Sequence, residues 1–193
     1  MPGFVEPSEA RAAKARVRAA MLGRRRSTPP AVRAAADVRL HAETLSVVRT
    51  VSARRIAAYA PYPTEPGGVD LPDVLRSAGL VVLLPVLLDD RDLDWAERDG
   101  TAVGVNAVAG VDLVVVPAVA VDRRGVRLGR GGGSYDRALA RVPAAIPVVA
   151  LLYDGELVDE VPAEPHDRLV GAAITPERGI VDLPTSTGRA RVD

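Results

Sequence analysis

The sequence predicts a three-layer α/β fold in which helices cover both faces of a mostly parallel β-sheet. Short apolar runs alternate with helical patterns along the chain, and this alternation is typical of strand–helix–strand units with right-handed crossovers. Hydrophobic residues make up 48% of the sequence but aromatic residues only 3%. We therefore expect a core of Val, Leu, Ala and Ile, as in buried parallel strands. A chain of 193 residues fits one such core.

Two helices precede any strand. The first runs to about Arg26, and it carries Arg11, Lys14 and Arg18 three or four residues apart, so these basic side chains share one face. The second begins after Pro29, a proline suited to a helix start, and ends near residue 51. Its apolar positions at helical spacing are Ala34, Val38, Ala42, Leu45 and Val48.

Five apolar runs predict the strands of the sheet, and two short helical segments follow two of them. The strands are expected at residues 56–60, 80–88, 111–116, 147–153 and 169–174, the helices at 70–78 and 134–141, and a hairpin turn at 122–125. The interval 89–110, which contains Trp95, shows no clear periodicity. We predict a single domain over residues 1–180 and a loose tail over residues 181–193, where the sequence becomes polar.

Composition excludes several classes of function. The chain has no cysteine, which rules out disulfides, thiolate metal sites and cysteine nucleophiles. It has 25 basic and 25 acidic residues, and this balance gives no basis for binding nucleic acid or an anionic membrane. No apolar run approaches the roughly 20 residues of a membrane span, and no signal peptide precedes the helices. We expect a cytoplasmic monomer that binds small molecules.

The most informative segment is the glycine cluster of residues 129–134, which follows the hairpin and opens into a helix. Glycines let backbone N–H groups converge on an anion, and the free amides at the helix start add partial positive charge. Arg127 and Arg130 add forked donors with full charge. The cluster lacks the ending of a Walker loop and the last glycine of a dinucleotide fingerprint. We predict a phosphate-binding loop, with a flexible surface turn as the alternative.

Four other residues are candidates for the same site. Lys14 is the only lysine of the chain, and a lysine meets phosphate as a compact point charge. Asp136 and Asp167 offer the hard carboxylate oxygens that Mg²⁺ takes, usually together with phosphates and water. Glu65 follows the first strand, at the end of the sheet where open α/β folds collect ligands. For each carboxylate alone, a solvated or helix-terminal acid is the alternative.

Four pieces of the sequence together resemble one known family. They are residues 115–137 with their Tyr-Asp-Arg ending, the segment from Lys14 to Arg18, the loop of residues 59–65, and residues 165–167 followed by 174–175. In this order, over nearly the whole chain, they resemble the 5-formyltetrahydrofolate cyclo-ligase family, also called methenyltetrahydrofolate synthetase. The glycine loop with its ending is the most specific piece.

The resemblance implies a fold in the broad group of CoA-transferase and ribose-phosphate isomerase domains. It also implies an ATP- and Mg²⁺-dependent ligase of folate one-carbon metabolism. In such enzymes ATP phosphorylates the formyl oxygen of 5-formyltetrahydrofolate, N10 attacks the activated carbon, and phosphate leaves to give 5,10-methenyltetrahydrofolate.

The resemblance further implies a role for each site residue, with Arg130 and Lys14 in catalysis. The ATP-binding residues are Lys14, Arg18, Arg127, Leu128, Gly129, Arg130, Gly131, Gly132, Gly133, Ser134 and Tyr135. The residues that contact the folate substrate are Glu65, Arg130, Gly131, Gly132, Gly133 and Ser134. Mg²⁺ is held by Asp136 and Asp167.

The chain departs from the family pattern at two points. Members commonly have a tyrosine where this chain has Ser134, and they carry a Gly-Ile-x-Glu-Pro-like stretch where the interval 89–110 offers only residues 104–106. Two alternatives to the cyclo-ligase therefore stay open. One is a non-catalytic relative that binds nucleotide or folate, and the other is an ATP-dependent enzyme that acts on a different substrate.

Overall fold

A computed structural model describes residues 7–164 and 167–184. The helices are α1 Pro7–Ser27, α2 Pro30–Thr50, α3 Leu71–Ser77 and α4 Ser134–Ala140, with a short 3-10 turn at Ala107–Gly110. The strands are β1 Arg55–Ala57, β2 Val81–Leu87, β3 Leu93–Ala96, β4 Leu113–Pro117, β5 Ala120–Asp122, β6 Arg127–Leu128, β7 Val148–Leu151, β8 Leu157–Val158, β9 Ala172–Thr175 and β10 Gly179–Asp182. Among the described residues, no helix combines the length and apolar character that crossing a bilayer requires.

Seven strands form the central sheet in the order β10-β9-β7-β4-β1-β2-β3. The five inner strands run parallel to one another, whereas β3 and β10 at the two edges run antiparallel to their neighbours. Strand β7 is buried at every position, as expected for a parallel strand covered on both faces. The predicted mostly parallel sheet is confirmed.

Helices cover both faces of this sheet. In β7, Val148 and Ala150 belong to one apolar cluster and Val149 and Leu151 to the other, because successive side chains of a strand point to opposite faces. Helix α4 packs into the first cluster. Helices α2 and α3 pack into the second. The three-layer arrangement predicted from the sequence is present.

A second, three-stranded sheet of β6, β5 and β8 stands beside the central sheet, and α1 packs on it through Val17, Met21 and Leu22. Arg25 fixes the end of α1. Its side chain is 2% exposed, and its Nε and Nη2 donate to the two carboxylate oxygens of Glu156, each over 2.7 Å. Burial raises the pKa of Glu156, although the Arg25 guanidinium opposes this shift.

The buried face of α2 differs from the predicted one. Ala34, Val38 and Ala42 are exposed, and the buried side is rotated to the positions Asp37, Leu40, His41, Thr44, Val47 and Val48. Half of this face is polar, so a search for apolar periodicity follows the wrong positions. The polar residues are buried because two of them, Asp37 and His41, bind the backbone of a neighbouring loop at Gly67.

Two segments for which no regular structure was predicted are part of the central sheet. The interval 89–110 contains β3, and its Trp95 is 1% exposed within the core. Strand β10 extends past residue 180 and Leu183 is 5% exposed, so a loose tail from residue 181 is wrong. The cause is antiparallel pairing with β9, and the short apolar run of Ile180, Val181 and Leu183 was hidden between polar segments. Residues 185–193 of the predicted tail lie outside the described residues.

The hairpin between β5 and β6 depends on a glycine at its turn. Gly125 has φ +85°, and a Cβ built there would lie 2.5 Å from the carbonyl oxygen of Val170. The backbone N–H of Val170 donates to the Gly125 oxygen over 2.9 Å, so the two backbones cannot separate without losing a hydrogen bond. Gly100 has nearly the same φ, +84°, and its added Cβ would meet nothing within 4 Å.

We expect Gly125→Ala to destabilise the protein more than Gly100→Ala. Both changes force alanine into the left-handed region, which costs about 1–2 kcal/mol of stability. Crowding against Val170 costs about 1–3 kcal/mol more, at Gly125 alone. Urea unfolding of the two variants measures the difference in the free energy of unfolding. Equal losses would contradict the contact with Val170.

Candidate active site

A cleft of about 940 Å³ lies where the sheet strands β1, β2 and β4 end. This is the edge at which open α/β sheets bind ligands, and the volume suits a large small molecule. Every site residue predicted from the sequence lines this cleft: Lys14, Arg18, Glu65, Arg127, Leu128, Gly129, Arg130, Gly131, Gly132, Gly133, Ser134, Tyr135, Asp136 and Asp167. The structure therefore brings together four segments that are far apart in the sequence.

The glycine loop connects β6 to α4. Gly131 and Gly133 have φ values of +102° and +70°, a conformation that side chains other than glycine rarely adopt. Within the described part of the chain, the backbone N–H groups of residues 129–136 donate no hydrogen bond, and no side chain caps α4. All eight residues line the cleft. Such free donors at a helix start are a ready site for an anion.

Arg127 forms the inner wall beside this loop. Its side chain is 4% exposed, and its Nη2 donates to Asp136 Oδ1 over 3.1 Å. Its guanidinium also lies 5.6 Å from the ring centre of Tyr135, within cation–π range. Burial raises the pKa of the Tyr135 hydroxyl, against the opposing charge of Arg127. Tyr135 is therefore neutral near pH 7, and it offers a ring face and a hydroxyl.

Lys14 connects α1 to the acidic loop that carries Glu164 and Asp167. Its Nζ donates to Glu164 Oε2 over 2.7 Å and to Asp167 Oδ2 over 2.8 Å. Burial lowers the pKa of Lys14, but the bonds that Lys14 donates to Asp167 and Glu164 outweigh this effect and leave the pKa raised. The ammonium thus remains charged. Pro165 and His166, part of the motif that carries the family resemblance, lie outside the described residues.

The two aspartates predicted to bind Mg²⁺ lie on adjoining segments. Asp136 Oδ1 accepts a bond from the backbone N–H of Arg168, over 3.3 Å, and Arg168 directly follows Asp167. No group of three or more His, Asp or Glu side chains suited to a metal occurs among the described residues. Two carboxylates fit Mg²⁺ when phosphate oxygens and water complete its ligands.

Glu65 is held rigidly at the strand end. The residue is 5% exposed, its Oε1 accepts a bond from Arg130 Nε over 2.7 Å, and its Oε2 accepts one from the backbone N–H of Tyr62 over 2.9 Å. The Arg130 guanidinium also lies 5.0 Å from the Tyr62 ring centre. Glu65 and the glycine loop are therefore in direct contact through Arg130.

The loop that carries Glu65 is fixed from behind by α2 and by Tyr153, two residues after β7. Asp37 Oδ1 accepts bonds from the Gly67 N–H and from the Tyr153 hydroxyl, both over 2.9 Å. The same hydroxyl lies 3.1 Å from the carbonyl oxygen of Glu65. Burial raises the pKa of Asp37. This carboxylate accepts bonds that hold the Glu65 loop in place.

Sequence reasoning missed several residues of the cleft. Arg11 and Glu164 line it, and the signals were present: Arg11 belongs to the basic stripe of α1, and Glu164 shares the loop of Asp167. An apolar wall of Pro85, Leu87 and Leu93 also lines it. This wall comes from the β2–β3 hairpin, half of which lies in the interval that showed no periodicity.

Comparisons with known proteins agree with this geometry. The model of the 5-formyltetrahydrofolate cyclo-ligase family matches residues 10–176. A 5-formyltetrahydrofolate cyclo-ligase from Mycolicibacterium smegmatis is 41% identical over 190 residues, which cover 88% of this chain and 97% of the relative.

Two solved structures show the same fold. They are a 5,10-methenyltetrahydrofolate synthetase from Mycoplasma pneumoniae, 21% identical, and one from Aquifex aeolicus, 23% identical, each with a TM-score of 0.73. The alignments cover 83% of this chain and 96% of the first structure, and 92% of this chain and 95% of the second. With its family model matched over residues 10–176, the chain belongs to the 5-formyltetrahydrofolate cyclo-ligase family.

Proposed function

We propose that the chain converts 5-formyltetrahydrofolate to 5,10-methenyltetrahydrofolate, with ATP as co-substrate and Mg²⁺ as the metal. The observation that carries this proposal is the row of backbone N–H groups from residue 129 to 136, which have no hydrogen-bond partner among the described residues. These donors line a cleft together with five cationic side chains. A triphosphate supplies acceptors for these backbone donors and negative charge for these cations.

The chemistry needs a positioned phosphate donor and no protein nucleophile. The formyl oxygen is a poor leaving group, and phosphoryl transfer to it creates a good one. Catalysis of this kind consists mostly of positioning and charge neutralisation. Lys14, Arg18 and residues 127–135 hold the ATP phosphates, and Arg130 and Lys14 stabilise the charge that develops on the transferred group.

Asp136 and Asp167 are the residues that would hold Mg²⁺. When bound, the metal supplies positive charge to the phosphate oxygens. In its absence, Arg127 and Lys14 hold these carboxylates by ion pairs. This pairing keeps both oxygen ligands in position at the cleft.

The folate binds on the side of Glu65. Arg130 contacts both the glycine loop and Glu65, so the reacting formyl group lies where the two halves of the cleft meet. Residues 131–134 border it from the loop. Tyr62 and Leu87 line the same side and are 63% and 64% exposed, which leaves flat apolar surface for an aromatic ring.

Other properties expected from the sequence remain predictions. They are a monomeric, cytoplasmic protein, a single domain that starts at residue 1, and a fold in the group of CoA-transferase and ribose-phosphate isomerase domains. Two alternatives are a catalytically impaired binding module and an ATP-dependent enzyme with another substrate. An assay of methenyl product formation distinguishes them from the proposed function.

The purified protein should form the methenyl product from 5-formyltetrahydrofolate only when ATP and Mg²⁺ are both present. Growth of the product absorbance measures turnover, and chelation of the metal with EDTA should abolish it. Nucleotide binding without product would support the impaired module. ATP hydrolysis stimulated by a compound other than 5-formyltetrahydrofolate would support a different substrate.

Arg130→Ala should lower kcat/KM by roughly 100-fold or more, the usual loss for a donor aimed at developing charge. The matched control is Arg123→Ala, which also removes an exposed arginine with one carboxylate partner, Asp159 over 2.9 Å, but lies away from the cleft. We expect near-normal turnover for the control and similar melting temperatures for both variants. An Arg130 variant as active as the control would refute the proposed role.

Asp136→Asn should raise the Mg²⁺ concentration needed for half-maximal turnover by at least roughly 10-fold. Loss of a residue that only contacts a metal ligand already weakens metal binding by about this factor. The change keeps the size of the side chain and removes its charge. Asp159→Asn, at a carboxylate with a 92% exposed side chain, is the control. If titration with Mg²⁺ gives the same midpoint for both variants, Asp136 is not a ligand.

A further inference from the structure

The charges that line the cleft do not cancel. Five cations and four carboxylates line it: Arg11, Lys14, Arg18, Arg127 and Arg130, against Glu65, Asp136, Glu164 and Asp167. All four carboxylates form ion pairs with three of the cations. The pairs are Lys14 with Glu164 and Asp167, Arg127 with Asp136, and Arg130 with Glu65. Two arginines of α1 are left without a carboxylate partner in the described cleft.

These two arginines differ in how they are held. Arg18 donates from Nε to the carbonyl oxygen of Gly129 over 2.9 Å, so it already supports the glycine loop. The side chain of Arg11 forms no hydrogen bond or ion pair with any described residue. It lies three residues before Lys14 and seven before Arg18 in α1, a spacing that places all three on one helix face.

We propose that Arg11 is a further phosphate-binding residue, which pairs with the outer phosphates of the triphosphate when nucleotide is bound. This inference rests on the proposed function. A cation that lines an anion site and has no internal partner loses no ion pair when it binds the ligand, unlike Lys14. Its guanidinium also offers two parallel donors to phosphate oxygens.

Arg16 provides a matched comparison. It lies on the same helix, is exposed like Arg11, and does not line the cleft. If Arg11 acted only through the solubility or the general field of α1, loss of either charge would have the same effect. A difference between the two positions therefore isolates direct contact.

The test is calorimetric binding of a non-hydrolysable ATP analogue with Mg²⁺ to the full chain, comparing Arg11→Gln with Arg16→Gln. We expect about 10- to 150-fold weaker binding for the Arg11 variant, the range for one charge-assisted contact, and wild-type binding for the Arg16 variant. Binding of AMP should be the same in all three proteins. Circular dichroism checks that both variants are folded. We expect both to fold, because residues 11 and 16 are exposed.

Failure of the inference and failure of the proposed function give different results. No binding of the analogue to the wild-type protein would overturn both. Wild-type binding with equal affinities for the two variants would overturn the role of Arg11 alone. An equal loss for AMP and for the ATP analogue in Arg11→Gln would place the contact on the nucleoside or the first phosphate, which contradicts a contact with the outer phosphates.

Discussion

The buried bond between Arg25 and Glu156 fixes the geometry on which the cleft depends. It ties the end of α1 to the small sheet, and Arg25 Nη2 also donates to the carbonyl oxygen of Ala118, over 2.6 Å, which is itself a cleft residue. Removing one partner of such a buried pair typically costs about 3–5 kcal/mol, because the other charge is left uncompensated. Helix α1, the small sheet and the end of β4 are thus joined at one point. The basic face of α1 is held against the cleft by this joint.

The carboxylates of the cleft are paired with cations of the protein itself, and this has a thermodynamic consequence under the proposed function. A phosphate that draws Lys14 or Arg127 away from its partner weakens that partner's ion pair. The carboxylate is then a better ligand for a divalent cation at the same place. Nucleotide and metal would each favour the binding of the other, by the same coupling free energy in both directions.

Local signals in the sequence were sufficient for the glycine loop, the order of the main elements and part of the cleft lining. Each depends on neighbours in the chain: glycines before a helix, a basic stripe, or an acid after a strand. The partners were not predictable, because Lys14 and Glu164 are 150 residues apart and meet only through the packing of α1. The buried carboxylate of Asp37 was missed for the same reason. Its bonds to Gly67 and Tyr153 join three separate elements.

The β2–β3 hairpin places Leu87 and Leu93 on the cleft. Asp92 binds Arg141, just after α4, through two bonds of 2.5 and 3.0 Å, and these bonds hold the pKa of Asp92 below its ordinary value. Since α4 carries Asp136, the apolar wall and the phosphate loop are joined directly. The hairpin therefore forms an apolar wall that is fixed to helix α4.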